Sequence, residues 1–130
     1  MRYLLDTNAV ISLLKRQPTL SRRLREHVPS DFGLPAVVAH ELFYGAYKSQ
    51  RRAENLAVVE ALQFEVLELD KEDARRAGEI RAALATAGRP IGPCDVLIAG
   101  QAKARGLTLI THNTSEFGRV DGLEIEDWEI

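Results

Sequence analysis

Apolar positions along the chain switch between two periods, and the switches mark the elements. A short apolar run, Tyr3-Leu4-Leu5, begins almost at once and stops at Asp6-Thr7-Asn8. Val10, Leu13 and Leu14 then recur at helical spacing, so the opening predicts a strand, a tight turn and a helix with Asn8 as its N-cap. Pro18 breaks that pattern, and Thr19 to Val28 predicts a short basic helix with Leu20, Leu24 and Val28 on one side. Phe32-Gly33-Leu34 predicts a brief second strand, and Pro35 suits the first turn of the next helix, where its missing N–H costs nothing. That helix runs from about Ala36 to Ser49, and a further helical piece covers Arg51 to Leu62. Phe64 to Leu69 alternates at period two and predicts a third strand.

Lys71 to Ala87 is again helical, with Ala74, Ala77, Ile80, Ala83 and Leu84 in register. A Gly/Pro-rich loop, Gly88 to Pro93, leads into a helix from about Pro93 to Arg105 that stops at Gly106. Leu107 to Ile110 predicts a strand, and Leu123 to Trp128 one more. Strands alternating with helices predict an α/β fold with right-handed crossovers and a mostly parallel sheet. With 130 residues and no repeat or long linker, the chain is expected to form one domain over 1–130.

Composition narrows the class. No stretch approaches the roughly 20 apolar residues of a membrane span, and the first acid comes too soon for a signal peptide. The single cysteine, Cys94, excludes an internal disulfide and suits a reducing cytoplasm. Net charge is only −2, yet eight bases and three acids lie between Lys15 and Arg52, while the last ten residues hold five acids. A basic stripe facing phosphates and a solvated helix face account for this distribution equally well.

Three acids stand out by position. Asp6 follows the first strand, at the sheet edge where ligands gather in open parallel folds. Glu41 lies one turn from Val37 and Val38, and Asp95 lies in the first turn of a helix, where the dipole favours negative charge. A fourth group, Thr111 to Glu116, follows a strand; Asn113 and Glu116 have the spacing of a capping box. Carboxylates converging without Cys or His favour a hard cation, Mg²⁺ or Mn²⁺, over zinc. Such a cation removes the repulsion of clustered acids, activates water and neutralises charge on a phosphate.

Rival chemistries fail on single residues. His40-Glu41-Leu42-Phe43-Tyr44 begins like a zinc-protease helix but has Tyr44 where a second His belongs. Neither a dinucleotide-binding glycine motif nor a phosphate-cradling loop occurs. Asn8 stands where an aspartyl-phosphate phosphatase would carry its second acid, and Cys94 has no His partner.

The ordered set Leu4-Leu5-Asp6-Thr7-Asn8, His40 to Gly45, Ile91 to Ala99, Leu109 to Phe117 and Gly122 to Trp128 resembles the PIN-domain ribonucleases, specifically VapC-type toxins of toxin–antitoxin pairs. The likeness spans essentially the whole chain. It implies a single compact α/β domain and Mg²⁺- or Mn²⁺-dependent endonucleolytic cleavage of RNA, often a transfer RNA. By motif position, Asp6, Glu41 and Asp95 are the implied metal-binding acids. Thr7, Asn8, Thr111 and Asn113 stand in support. Many members carry an acid where Asn113 stands, and Glu116, one turn on, supplies the carboxylate here. The resemblance also implies a homodimer, a cognate antitoxin lying over the groove, and operator DNA bound only through that antitoxin. The class-different alternative is a catalytically silent PIN-like module that binds RNA or protein. Apart from the resemblance, Phe43, Tyr44, Tyr47, Leu56 and Val59 exceed what one buried face per helix needs, which also predicts a dimer.

Overall fold

A computed structural model describes all 130 residues, Met1–Ile130. Five short strands, β1 (Tyr3–Leu5), β2 (Phe32–Pro35), β3 (Glu65–Leu67), β4 (Thr108–Ile110) and β5 (Ile125–Glu126), form one sheet in the order β3-β2-β1-β4-β5. Every pairing is parallel, with Tyr3 opposite Phe32 on one side and Thr108 on the other. Seven helices connect them: α1 (Thr7–Leu14), α2 (Pro18–Leu24), α3 (Ala36–Lys48), α4 (Arg52–Glu60), α5 (Lys71–Thr86), α6 (Pro93–Arg105) and α7 (Thr114–Phe117). The expected α/β architecture is the observed one. No helix is long and apolar enough to cross a membrane.

The strands are apolar on both faces, as a parallel sheet covered by helices requires. Tyr3, Leu4, Leu5, Phe32, Leu34, Leu109 and Ile110 are all buried. Trp128 closes the core beyond β5, edge-on to Tyr3 with centroids 4.9 Å apart and stacked on His27 at 5.3 Å. From β1 the chain builds outward through β2 and β3, then returns to lay β4 and β5 on the other side. That reversal falls between β1 and β4, where open α/β sheets form their ligand crevice.

Three local expectations are corrected. Asp6, not Asn8, caps α1: its side chain accepts from the Ala9 N–H, while Asn8 is exposed within the first turn. Helix α2 starts at Pro18 under a Gln17 cap and ends at Leu24 rather than Val28. Val28 precedes Pro29, which drives it into extended backbone (φ −105°, ψ 155°) and forbids the last helical turn. The third strand is three residues, not six, because its partner β2 ends at Pro35, which has no N–H for the ladder and leads into α3.

Candidate metal-binding acidic groove

Asp6 leaves β1 at its carboxyl end and is only 3% exposed. Its Oδ1 accepts from the Ala9 N–H at 2.7 Å, and its Oδ2 accepts from the Thr111 hydroxyl at 2.5 Å. The first bond exists because Asp6 caps α1; the second staples the ends of neighbouring strands β1 and β4. Burial pushes the Asp6 carboxyl above its usual range, the Thr111 and Ala9 bonds pull it back, and the charges of Glu129 and Glu41 push it up again. Each oxygen has one protein donor, which leaves lone pairs for a cation.

Glu41 reaches the same place from α3, where its Oε1 accepts from the Thr7 hydroxyl at 2.9 Å. That bond ties the first turn of α1 to α3. Asp95 sits three residues after the Gly92 cap, in the first turn of α6. A Cβ on Gly92 would stand 3.1 Å from Asp95 Oδ2, so glycine leaves this carboxylate room. Half-buried, Asp95 is pushed up to about 7, first by burial, then by its side-chain hydrogen bond with Glu116 and by the charges of Glu116, Asp6 and Glu41. Four carboxylates from four separated segments therefore feel one another.

Asn113 and Glu116 do not form the expected capping box. The Asn113 side chain caps nothing, and Thr111 Oγ1 accepts the Asn113 backbone N–H at 2.9 Å, the donor a capping box would give to Glu116. The Asn113 amide Nδ2 instead donates to Glu116 Oε2 at 2.7 Å. That bond, with Asp95 and the charge of Arg119, holds Glu116 below its usual range. The two carboxyls are thus pushed in opposite directions, Asp95 up and Glu116 down.

All four principal donors are carboxylates, the ligand chemistry of a hard divalent cation. Clustered like charges that hold a proton near neutrality fit a site built to receive such a charge. Cys94 lies beside them, but burial and the charges of Glu41 and Asp95 push its thiol up, which keeps it protonated and neither nucleophile nor soft ligand. Of the expected set, Asp6, Glu41, Asp95, Glu116, Thr7, Thr111 and Asn113 come together; Asn8 faces solvent. Glu129, which bears on Asp6 from the C-terminal segment, escaped sequence reasoning. Its only signal was membership of the acidic run at the chain's end.

Residues 3–123 match the PIN domain family. Among curated relatives, a protein of Shigella flexneri named tRNA(fMet)-specific endonuclease VapC is 44% identical over 130 residues, covering 98% of both chains. Its namesake in Salmonella typhimurium is 42% identical over the same share. Among solved structures, DNA-bound VapBC from Salmonella typhimurium superposes with a TM-score of 0.93 at 42% identity, covering 98% of each chain. VapBC-1 of nontypeable Haemophilus influenzae follows at 0.91 and 32%, covering each chain completely. With its fold and nearly all of its length matched, the chain belongs to the PIN domain family, in the VapC branch.

Proposed function

We propose that this chain is the toxin of a toxin–antitoxin pair, an endoribonuclease that needs Mg²⁺ or Mn²⁺. Its proposed substrate is RNA of the transfer-RNA class. The observation that carries the reading is the meeting of Asp6, Glu41, Asp95 and Glu116 at one sheet edge, where burial and the charges of the other acids push the Asp95 carboxyl up. When bound, the cation supplies an activated water and neutralises charge developing on the scissile phosphate.

The chain's own residues set up that reaction. Asp6 is oriented by Ala9 and Thr111, so it offers its remaining lone pairs in a fixed direction. Thr7 aims Glu41, and Asn113 keeps Glu116 ionised. Asp95 would hold the cation as a carboxylate, beside Asp6 and Glu41. Lys15 and Arg16, exposed at the end of α1, are available to phosphates. Arg23 and Arg51 are engaged with Glu126 and Glu54, so the basic stripe is only partly free.

A trough of about 400 Å³ between α1, α3 and α4 opens at Glu41. Ile11, Leu14 and Val58, each more than a third exposed, line it. An apolar segment of the cognate antitoxin would lie there and close the groove; operator DNA would be held through the antitoxin, since this chain carries net charge −2. The single cysteine accords with a cytoplasmic setting.

The test is cleavage of purified transfer RNA with Mg²⁺ or Mn²⁺, with a chelator, and with Asp6→Asn or Asp95→Asn protein. Cutting is expected only with metal and the parent chain. Both substitutions keep shape while removing an anionic ligand, so circular dichroism should remain that of the parent. Equal cutting by either variant at limiting metal would overturn the assignment.

A further inference from the structure

Beyond the four-carboxylate groove, the carboxyl end of β4 carries a second set of ligands that the proposed reaction leaves unused. His112 stands two residues past the end of β4, and Asp127 and Glu129 follow β5. One ligand atom from each lies within 4.8 Å of the others. His112 Nδ1 is 2.9 Å from Asp127 Oδ2, and its side chain is 59% exposed, so the imidazole can turn without disturbing the core.

The two acids are fixed from behind. Asp127 Oδ1 accepts from the Glu129 N–H at 3.0 Å, and the Ser12 hydroxyl donates to Glu129 Oε1 at 3.2 Å. Gln17 Nε2 donates to the Glu129 carbonyl at 3.3 Å, which ties this last stretch to the segment joining α1 and α2. Asp127's side chain is only 11% exposed, yet neither it nor Glu129 meets a lysine or arginine. Arg23, which reaches this end of the molecule, is engaged with Glu126 and lies 4.9 Å over the Trp128 ring. His112 is the one basic partner of this carboxylate, and an imidazole carries charge only when protonated, whereas a divalent cation would answer both acids at once.

We propose that His112, Asp127 and Glu129 form a second divalent-cation site, taking a borderline metal such as Zn²⁺. One imidazole and two carboxylates make a three-ligand set with a fourth, tetrahedral position left to water. The imidazole separates this site from the groove, whose oxygen-only donors suit Mg²⁺. Tetrahedral ligands about 2 Å from zinc lie about 3.3 Å apart, so the three ligand atoms, within 4.8 Å of one another, would have to draw in by up to about 1.5 Å. A bound cation would pin the C-terminal residues to the loop after β4 and offset the charge that Glu129 directs at Asp6.

The test is calorimetric titration with Zn²⁺ of the full chain carrying Asp95→Asn, which disables the groove. One zinc per chain is expected. Adding His112→Ala, or Asp127→Asn, should weaken it by at least about tenfold, the scale seen even when outer partners of a ligand are lost. Zinc should raise the melting temperature of the Asp95→Asn protein and leave that of the further variants unmoved. Absence of zinc binding, or affinity unchanged by both substitutions, overturns the site. RNA cleavage is not read, so failure of the nuclease assignment would leave this result standing.

Discussion

Asp95 holds its proton more tightly in the folded chain than in the unfolded one, and the direction of its shift sets how stability depends on pH. Between its ordinary value of 3.8 and about 7 the folded state carries the extra proton, so stability falls as pH rises through that interval. Asp6, also raised, contributes with the same sign. Glu116 is lowered from 4.5 and acts below that value; His112 is raised from 6.5 and acts above it. Between those two values the slope belongs to the two aspartates. In the presence of a chelator, the melting temperature should decline across this range, and Asp95→Asn should flatten most of the decline. A flat parent profile would show that the acids do not crowd as described. Asn113 allows a second test at this scale. Its amide holds Glu116 and caps nothing, so Asn113→Ala should shift the metal dependence of cleavage while leaving the melting temperature near that of the parent. Glu116→Gln, which removes charge, should shift that dependence further. A loss of about 1 kcal/mol in Asn113→Ala with an unchanged metal titration would restore the helix-cap role. The three principal acids were legible because each sits at a strand end or on a helix whose apolar periodicity is plain. The pairing of Asn113 with Glu116 was not, since the same spacing serves a capping box, and the amide bond to Glu116 with Thr111 taking the Asn113 N–H decides between them.

Helix α6, which carries Asp95, is held along its length by α5. A Cβ on Gly100 would lie 2.6 Å from both the Cβ and the backbone nitrogen of Ala77, closer than atoms pack, so the two helices touch at backbone distance only because residue 100 is glycine. At one end of the contact Asp73, 1% exposed, accepts from Arg105 Nη2 at 3.0 Å and Gln101 Nε2 at 2.9 Å. It also completes a capping box with Asp70 at the start of α5. Those bonds, together with Arg105's charge, hold Asp73 below its usual range although burial pushes it up. Gly100→Ala should therefore cost about 1–3 kcal/mol by forcing the helices apart, read as a lower midpoint in urea. Because α6 also positions Asp95, cleavage should fall beyond the loss of folded protein. A midpoint equal to the parent's would mean that the helices have slack. The extent of α6 and its stop at Gly106 (φ 65°) were legible from periodicity and the glycine. The clamp was not, because Asp73, Gln101 and Arg105 resemble solvent-facing polar positions until the fold brings residues about thirty positions apart into contact.

For the molecule as a whole, parallel pairing followed from the alternation of strands and helices, whereas strand order did not: neighbours β1 and β4 are separated by more than a hundred residues and linked by no local signal. Apolar surplus is the other property that belongs to this scale. Of the five residues expected to be left over, Phe43, Leu56 and Val59 are half-buried, and Val59 packs against the core. Tyr44 and Tyr47 remain, 60% and 56% exposed, on the side of α3 away from buried Leu42 and Ala46. Three residues apart, they share one helix face, and Lys48 Nζ lies 5.6 Å from the Tyr44 ring, covering part of it. The trough proposed for the antitoxin is lined on α3 by Glu41, Leu42, Gly45 and Ala46, so the tyrosine face lies outside it. Two α3 helices related by a two-fold axis would set Tyr44 of one chain against Tyr47 of the other, with each pair made twice. Light scattering of the purified chain without antitoxin, at micromolar concentration, should give twice the 14.5 kDa of one chain. Joint Tyr44→Ser and Tyr47→Ser substitution should return the mass to a single chain with the circular dichroism unchanged. A monomeric parent would refute the dimer, and a dimer indifferent to both substitutions would move its interface away from α3.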